Sequence, residues 1–176
     1  MNKLKIATRL LILIGLLSAL LLTIGSIGLF GMSATNAAFN SVYVDRMVPV
    51  GQLADIQRLV LRNRLVITES LLDSRPDSVA QDLRVMEANT KEINELWAAY
   101  LATKLTPEEA QLTKAFEAAR QQFVSEVLGP MQEALRKQDV PAAQAIQKDK
   151  MDVSYDAVRK NISALVKLQF DEGKKE

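Results

Sequence analysis

The 176-residue chain contains no cysteine and no histidine. Without cysteine there is no disulfide, no thiol nucleophile and no thiolate metal site. Without histidine the commonest general base and the commonest transition-metal ligand are both missing. Catalysis would fall to Asp, Glu, Lys, Tyr or Ser, and no Gly-rich phosphate loop is present. Glu108–Glu109 and Asp149–Asp152 read as capping and surface carboxylates rather than a catalytic pair. The chain is therefore read as a non-enzyme, with no cofactor and no metal. Glycine and proline are scarce, at 7 and 5 residues, and the formal charge is only +1. The first shortage removes breakers, and the second removes bulk attraction to nucleic acid. What remains is rich in Ala, Leu, Gln, Glu, Lys and Arg, a composition that favours helix throughout.

One run carries no charge at all, "LLILIGLLSALLLTIGSIGLFGM", from Leu10 to Met32. At ~1.5 Å per residue such a helix is about 35 Å long, enough to cross a hydrocarbon core of roughly 30 Å. Lys3, Lys5 and Arg9 precede it, and the first charge after it is Asp45. The positive-inside rule then puts residues 1–9 in the cytoplasm and residues 33–176 outside. The competing reading is a cleaved signal peptide, but the apolar run is long and "GMSATNAAF" is a poor cleavage site. An uncleaved anchor over 10–32 is expected. Gly25 and Gly28 are three apart, so no G-x-x-x-G packing motif is present.

Residues 33–176 read as four amphipathic helices. The anchor runs without a breaker into the first, where Pro49 and Gly51 should bend or loosen it locally. Leu53, Ile56, Val60, Ile67 and Leu71 then recur at helical spacing. "DSRPDS", 73–78, is a turn, with Asp77 or Ser78 capping the next helix. That second helix, about 79–104, carries a stripe of Val79, Leu83, Met86, Ile93, Trp97 and Tyr100. "TPEE" is the clearest local signal, with Thr106 as N-cap, Pro107 at the first helical position and Glu109 closing a capping box. Leu112, Phe116, Ala119, Phe123 and Val127 stripe the third helix, which Gly129–Pro130 interrupts before it resumes to Lys137. After "QDVPAAQ" the fourth helix runs from about Pro141, with Tyr155, Val158, Ile162, Leu165 and Leu168 on one face. Short connections dictate an all-α, antiparallel, up-down-up-down four-helix bundle, with its N-terminal transmembrane helix continuous with helix 1. The aromatic residues, at helical spacing, are assigned to the core.

"LVLRNRLVITESLL", 59–72, sets arginines among apolar residues. With Arg58 at 0° and about 100° per residue, Arg62 falls near 40° and Glu69 near 20°, on a polar face. The apolar stripe occupies roughly 160–220°. Arg64 falls near 240°, beside that stripe, with Gln57 near 260° and Thr68 near 280°. Asn63 borders the other side. Two readings stay open. Either Arg58 and Arg62 are solvated and Arg64 pairs with a carboxylate at a seam, or Arg64, Thr68 and Gln57 offer donors to a small anion. On the fourth helix Lys148, Lys150 and Arg159 are further cations, with Tyr155 as a hydroxyl donor. "QKDKMD" is otherwise an ordinary solvated face. Lys104 and Arg136 are surface residues near turns.

Taken in order, "MNKLKIATRLLILIGLL", "VYVDRMVPVGQLADIQRL" and "FVSEVLGPMQEALRKQDVPAAQAI" resemble the N-terminal sensor half of bacterial methyl-accepting chemotaxis proteins of the four-helix-bundle type. The resemblance covers essentially the whole chain and rests on the order of loose motifs. It implies a periplasmic sensor in the bacterial inner membrane, a parallel homodimer, and ligand bound in the outer bundle at or near the dimer interface. It also implies a second membrane helix beyond residue 176, a piston-like shift of the fourth helix, and cytoplasmic signalling partners reached through a further C-terminal part. The same input module occurs in some histidine kinases and cyclases. Aspartate-sensing members carry three arginines along the first helix and a Pro-Thr pair near the fourth. Here Glu69 stands about where the last arginine would fall, and 142–156 has no Pro-Thr, so aspartate specificity does not carry over.

The expectation is a transmembrane chemoreceptor sensor for a small ligand, a carboxylate or amino acid. Its candidate ligand residues are Arg64, Thr68, Gln57, Arg62, Arg58, Lys150, Tyr155 and Arg159. Its candidate dimer contacts are Val60, Asn63 and Ile67. The alternative, from another class, is a membrane-tethered helical domain that binds a periplasmic protein.

Overall fold

A computed structural model describes residues 5–174. Every regular element among them is helical: α1 (Ile6–Val42), α2 (Val48–Leu72), α3 (Pro76–Leu101), α4 (Pro107–Phe123), α5 (Gly129–Arg136), α6 (Val140–Ile146) and α7 (Asp152–Gly173). Three π turns, Tyr43–Met47, Val124–Leu128 and Gln147–Met151, stand between α1 and α2, α4 and α5, and α6 and α7. The chain divides into two units, residues 1–42 and 43–176.

In the first unit, Ile6–Ser33 is long and apolar enough to cross a membrane, and none of that stretch is buried. Thr23, Ser26 and Thr35 each return their hydroxyl to the carbonyl four residues earlier, so these polar side chains are satisfied within their own helix.

The second unit is the four-helix bundle. Its rods are α2, α3, α4 with α5, and α6 with α7. The core follows the apolar stripes: Leu53, Ile56 and Ile67 from α2, Met86 and Tyr100 from α3, Phe116 from α4, Met131 from α5, and Ile162 and Leu165 from α7. Trp97 packs at 4.6 Å between ring centroids on Phe116 and at 5.3 Å on Tyr100, so the aromatic residues do form core. Thr106 caps α4 and Glu109 closes the capping box, as the sequence indicates. At α3 the cap differs: Arg75 is the N-cap, and Asp77 lies inside the first turn. Asp73 organises that corner instead, accepting from Arg75 Nε at 2.8 Å and from Ser78 Oγ at 2.7 Å. The Arg75 and Ser78 hydrogen bonds hold the Asp73 carboxyl well below its ordinary value of 3.8.

Neither proline-containing stretch breaks its rod. Pro49 falls in the first turn of α2, just after the π turn Tyr43–Met47. Pro130 follows the π turn Val124–Leu128, where the Gly129 amide reaches back five residues to the Val124 carbonyl. A wider turn absorbs the missing proline donor and its ring without ending the helix. A Cβ on Gly129 would sit 3.2 Å from the Val124 carbonyl oxygen, so a side chain there would crowd that turn. The π turn Gln147–Met151 has no proline to announce it. There the buried positions Ala143, Met151, Tyr155, Val158, Ile162 and Leu165 need one added residue to stay on one face.

The α5–α6 turn closes on Gln138, at φ 56°, the one non-glycine residue with positive φ among the described residues. Asp139 N donates to the Ala134 carbonyl at 2.9 Å and Gln138 N to Leu135 at 3.1 Å, a Schellman-type closure with glutamine where glycine is usual. Gln138→Gly should therefore stabilise the bundle by about 0.5–1 kcal/mol, read by chemical denaturation followed by circular dichroism. A loss of stability would mean that the Gln138 side chain contributes more than its backbone costs.

Candidate functional site

Arg64 sits on the α2 face that meets the start of α7. Its Nη2 donates to Asp152 Oδ1 at 2.6 Å, and its Cζ lies 4.6 Å from the centre of the Tyr155 ring. Asp152 and Tyr155 are three residues apart, hence on one side of α7. The π turn Gln147–Met151 ends immediately before Asp152 and sets that orientation. Arg64 is 33% exposed, while Tyr155 is buried and holds the guanidinium over its face. One guanidinium, one aromatic ring and one solvent-exposed carboxylate thus meet on the seam between two helices.

The other sequence candidates are distributed around this seam. Thr68, also exposed, returns its hydroxyl to the Arg64 carbonyl at 3.1 Å. Gln57 lies two turns below and reaches Ser163 Oγ on α7 at 3.4 Å. Beside that bond runs a groove of about 450 Å³, lined by Gln57, Ser163, Val166, Lys167, Phe170, Asp171 and Lys174. Arg58 pairs with Asp55 at 3.2 Å and approaches Glu92 of α3 at 3.9 Å. Arg62 pairs with Glu69 at 3.2 Å. Arg159 pairs with Asp156 at 3.2 Å on the outer face of α7, and Lys150 is exposed in the π turn. The structure therefore brings Arg64 and Tyr155 together and leaves Arg58, Arg62, Arg159 and Lys150 apart from them.

The expected dimer contacts lie inside the bundle of the single chain. Val60, Asn63 and Ile67 are buried within one bundle, at 7%, 2% and 0% exposure. They belong to the stripe that faces the bundle's own core. Asn63 accepts a hydrogen bond from Asn89 Nδ2 at 2.8 Å, tying α2 to α3. The exposed side of α2, with Met47 of the π turn before it, carries a different set: Gly51, Ala54, Arg58, Leu61, Leu65, Thr68 and Leu72. These recur at alternating steps of four and three residues, the spacing of a coiled-coil seam.

Three groups escape sequence reasoning. Asp152 reads as a surface residue, yet it is the partner of Arg64. Arg120, on α4, donates to Asn94 Oδ1 of α3 and borders a small cavity with Asn63 and Thr90. Burial pushes its guanidinium pKa down. Glu109 reads only as a cap and is fully buried. It accepts from the Thr106 amide and from Gln169 Nε2, and lies 3.7 Å from Arg46 Nη1. Burial likewise raises the Tyr100 phenol, whose oxygen is 3.4 Å from Gln169 Nε2. A position three or four residues from apolar stripe residues is the available signal for Arg120 and Glu109. Nothing in the local sequence points Asp152 at a residue 88 positions away. Among the described residues no cluster of three acidic ligands could hold a metal ion.

A sequence profile described as Tar ligand binding domain homologue (TarH) matches residues 1–173. The chain belongs to the TarH family. Curated relatives agree. Methyl-accepting chemotaxis protein HlyB of Vibrio cholerae serotype O1 is 28% identical over 170 residues, covering 94% of this chain and 31% of HlyB. Methyl-accepting chemotaxis protein NahY of Pseudomonas putida is 27% identical over 178 residues, covering 99% of this chain and 32% of NahY. The TarH chain thus spans about a third of the length of the curated relatives it matches. No solved structure matches it significantly. Family, helical bundle and N-terminal apolar helix together describe a chemoreceptor-type ligand-binding domain, a sensing class.

Proposed function

We propose that this chain is the periplasmic sensor module of an inner-membrane chemoreceptor, and that its ligand is a small anion such as a carboxylate or amino acid. The observation that carries the anionic reading is Arg64, held over Tyr155 on the α2–α7 seam and bonded through a single nitrogen to a solvent-exposed carboxylate. A planar guanidinium presents paired donors to a carboxylate, and an aromatic floor fixes its plane. Arg64→Ala should weaken binding of the ligand by roughly 10- to 150-fold, the scale of a charge-assisted contact of about 1.5–3 kcal/mol. Arg58→Ala should change affinity little, because its exposed pairs are worth less than about 1 kcal/mol. Isothermal calorimetry on both variants decides, and equal affinity for Arg64→Ala and wild type would remove Arg64 from the site.

Two chains pair in parallel through the exposed seam of α2 rather than through its buried stripe. Leu61 and Leu65 are 44% and 48% exposed and Leu72 is 85% exposed, an apolar line outside the bundle core. A cysteine replacing Leu65 should crosslink to its twin in membranes, whereas one replacing Val60 should not. Efficient crosslinking only from α4 positions such as Gln121 would refute this pairing.

The charge-free run 10–32, within the apolar stretch Ile6–Ser33, anchors the module, with residues 1–9 inside and the bundle outside, as Lys3, Lys5 and Arg9 before the run support. Alkaline phosphatase fused after Leu165 should be active. An inactive fusion there, alongside an active cytoplasmic reporter, would reverse the topology.

A further inference from the structure

Arg64 is already engaged in this structure, and the manner of its engagement is informative. Only Nη2 bonds Asp152, and Nε and Nη1 make no hydrogen bond among the described residues. Asp152 is 74% exposed, so water can take over its solvation at little cost when it lets go. The contact crosses from α2 to α7, and the π turn Gln147–Met151 delivers Asp152 to it. Tyr155, one turn further along α7, holds the same guanidinium over its ring face at 4.6 Å, a contact that does not pass through Asp152. The arrangement is a cation with two donor nitrogens left open, a fixed plane, and a solvent-exposed carboxylate from its own chain.

We propose that Asp152 is a tethered stand-in for the ligand: it occupies Arg64 when the site is empty and is displaced when a free carboxylate binds. This rests on the anionic-ligand reading of Arg64 and adds its regulation. A free carboxylate brings both oxygens and can engage the guanidinium bidentately, which Asp152 does not do here. Binding therefore exchanges a bond between α2 and α7 for a bond between α2 and the ligand. The apparent affinity is thereby set below the intrinsic one by the strength of the internal pair. The start of α7 also loses a tie to α2 whenever the ligand is present, so occupancy is registered on the helix that ends the bundle.

The test uses the full chain in lipid nanodiscs and titrates acetate, succinate, benzoate and aspartate by calorimetry. Asp152→Asn keeps the shape and removes the competing charge. It should bind whichever of these carboxylates binds wild type roughly two- to fivefold more tightly, the scale expected for release of an exposed ion pair. Asp152→Glu, which retains a carboxylate, should stay near wild type. In an Arg64→Ala background Asp152→Asn should have no further effect, because the two residues act through one contact. Equal or weaker binding by Asp152→Asn, with Arg64→Ala still impaired, overturns the stand-in role and leaves the ligand site intact. Undiminished binding by Arg64→Ala, or no binding of any probe to wild type and Asp152→Asn alike, overturns the anionic site and the stand-in with it.

Discussion

A fully buried carboxylate constrains one end of this bundle. Glu109 has no access to solvent, so every group that would otherwise be water must come from the chain. The Thr106 amide, the Gln169 amide and the Arg46 guanidinium fill that role, with Tyr100 beside Gln169. Those residues come from the turn before α2, from α3, from the start of α4 and from α7. One carboxylate therefore draws all four rods to a common point. Removing one partner of such a buried pair typically costs about 3–5 kcal/mol, so the end where α7 finishes is held by polar chemistry as much as by packing.

Away from that point the bundle is held by interdigitated apolar stripes, and these need the π turns. Buried positions along α4–α5 include Phe123, Val127 and Met131, and along α6–α7 they include Met151, Tyr155 and Val158. Consecutive steps of four residues drift off one face of a regular 3.6-residue helix. A single wider turn restores the phase, and each of these two rods has one. In α6–α7 the correction falls directly before Asp152 and Tyr155. The geometry that repairs the core thus also aims the site at Arg64. Structure and candidate function share one local distortion.

Much of this is legible in the residues themselves. The anchor, the four rods, the "TPEE" cap and the core stripe of Trp97, Tyr100 and Phe116 all derive from short-range periodicity and capping chemistry. The separation of Arg64 from Arg58 and Arg62 is an angular fact of one helix, and the structure keeps it. Other features are not legible. The stripe bearing Val60 and Ile67 serves the bundle's own core, and periodicity alone does not say which neighbour an apolar face meets. Pro130 suggests an interruption where a π turn carries the helix through. Glu109 announces itself as a cap, and its burial depends on where α7 passes.

The sequence alone determined what is local: the presence of the four rods, the "TPEE" cap, the charge-free membrane segment, and the face on which each side chain stands. Those properties depend on residues within a turn or two, through propensity, capping and the 3.6-residue period. Tertiary structure decided which faces meet. It set Asp152 and Tyr155 against Arg64, Asn89 against Asn63, and Gln169 against Glu109, pairs 26 to 91 residues apart. Such pairings emerge only when several apolar stripes are buried together, because the rotation and height of each rod are fixed by the packing of all four.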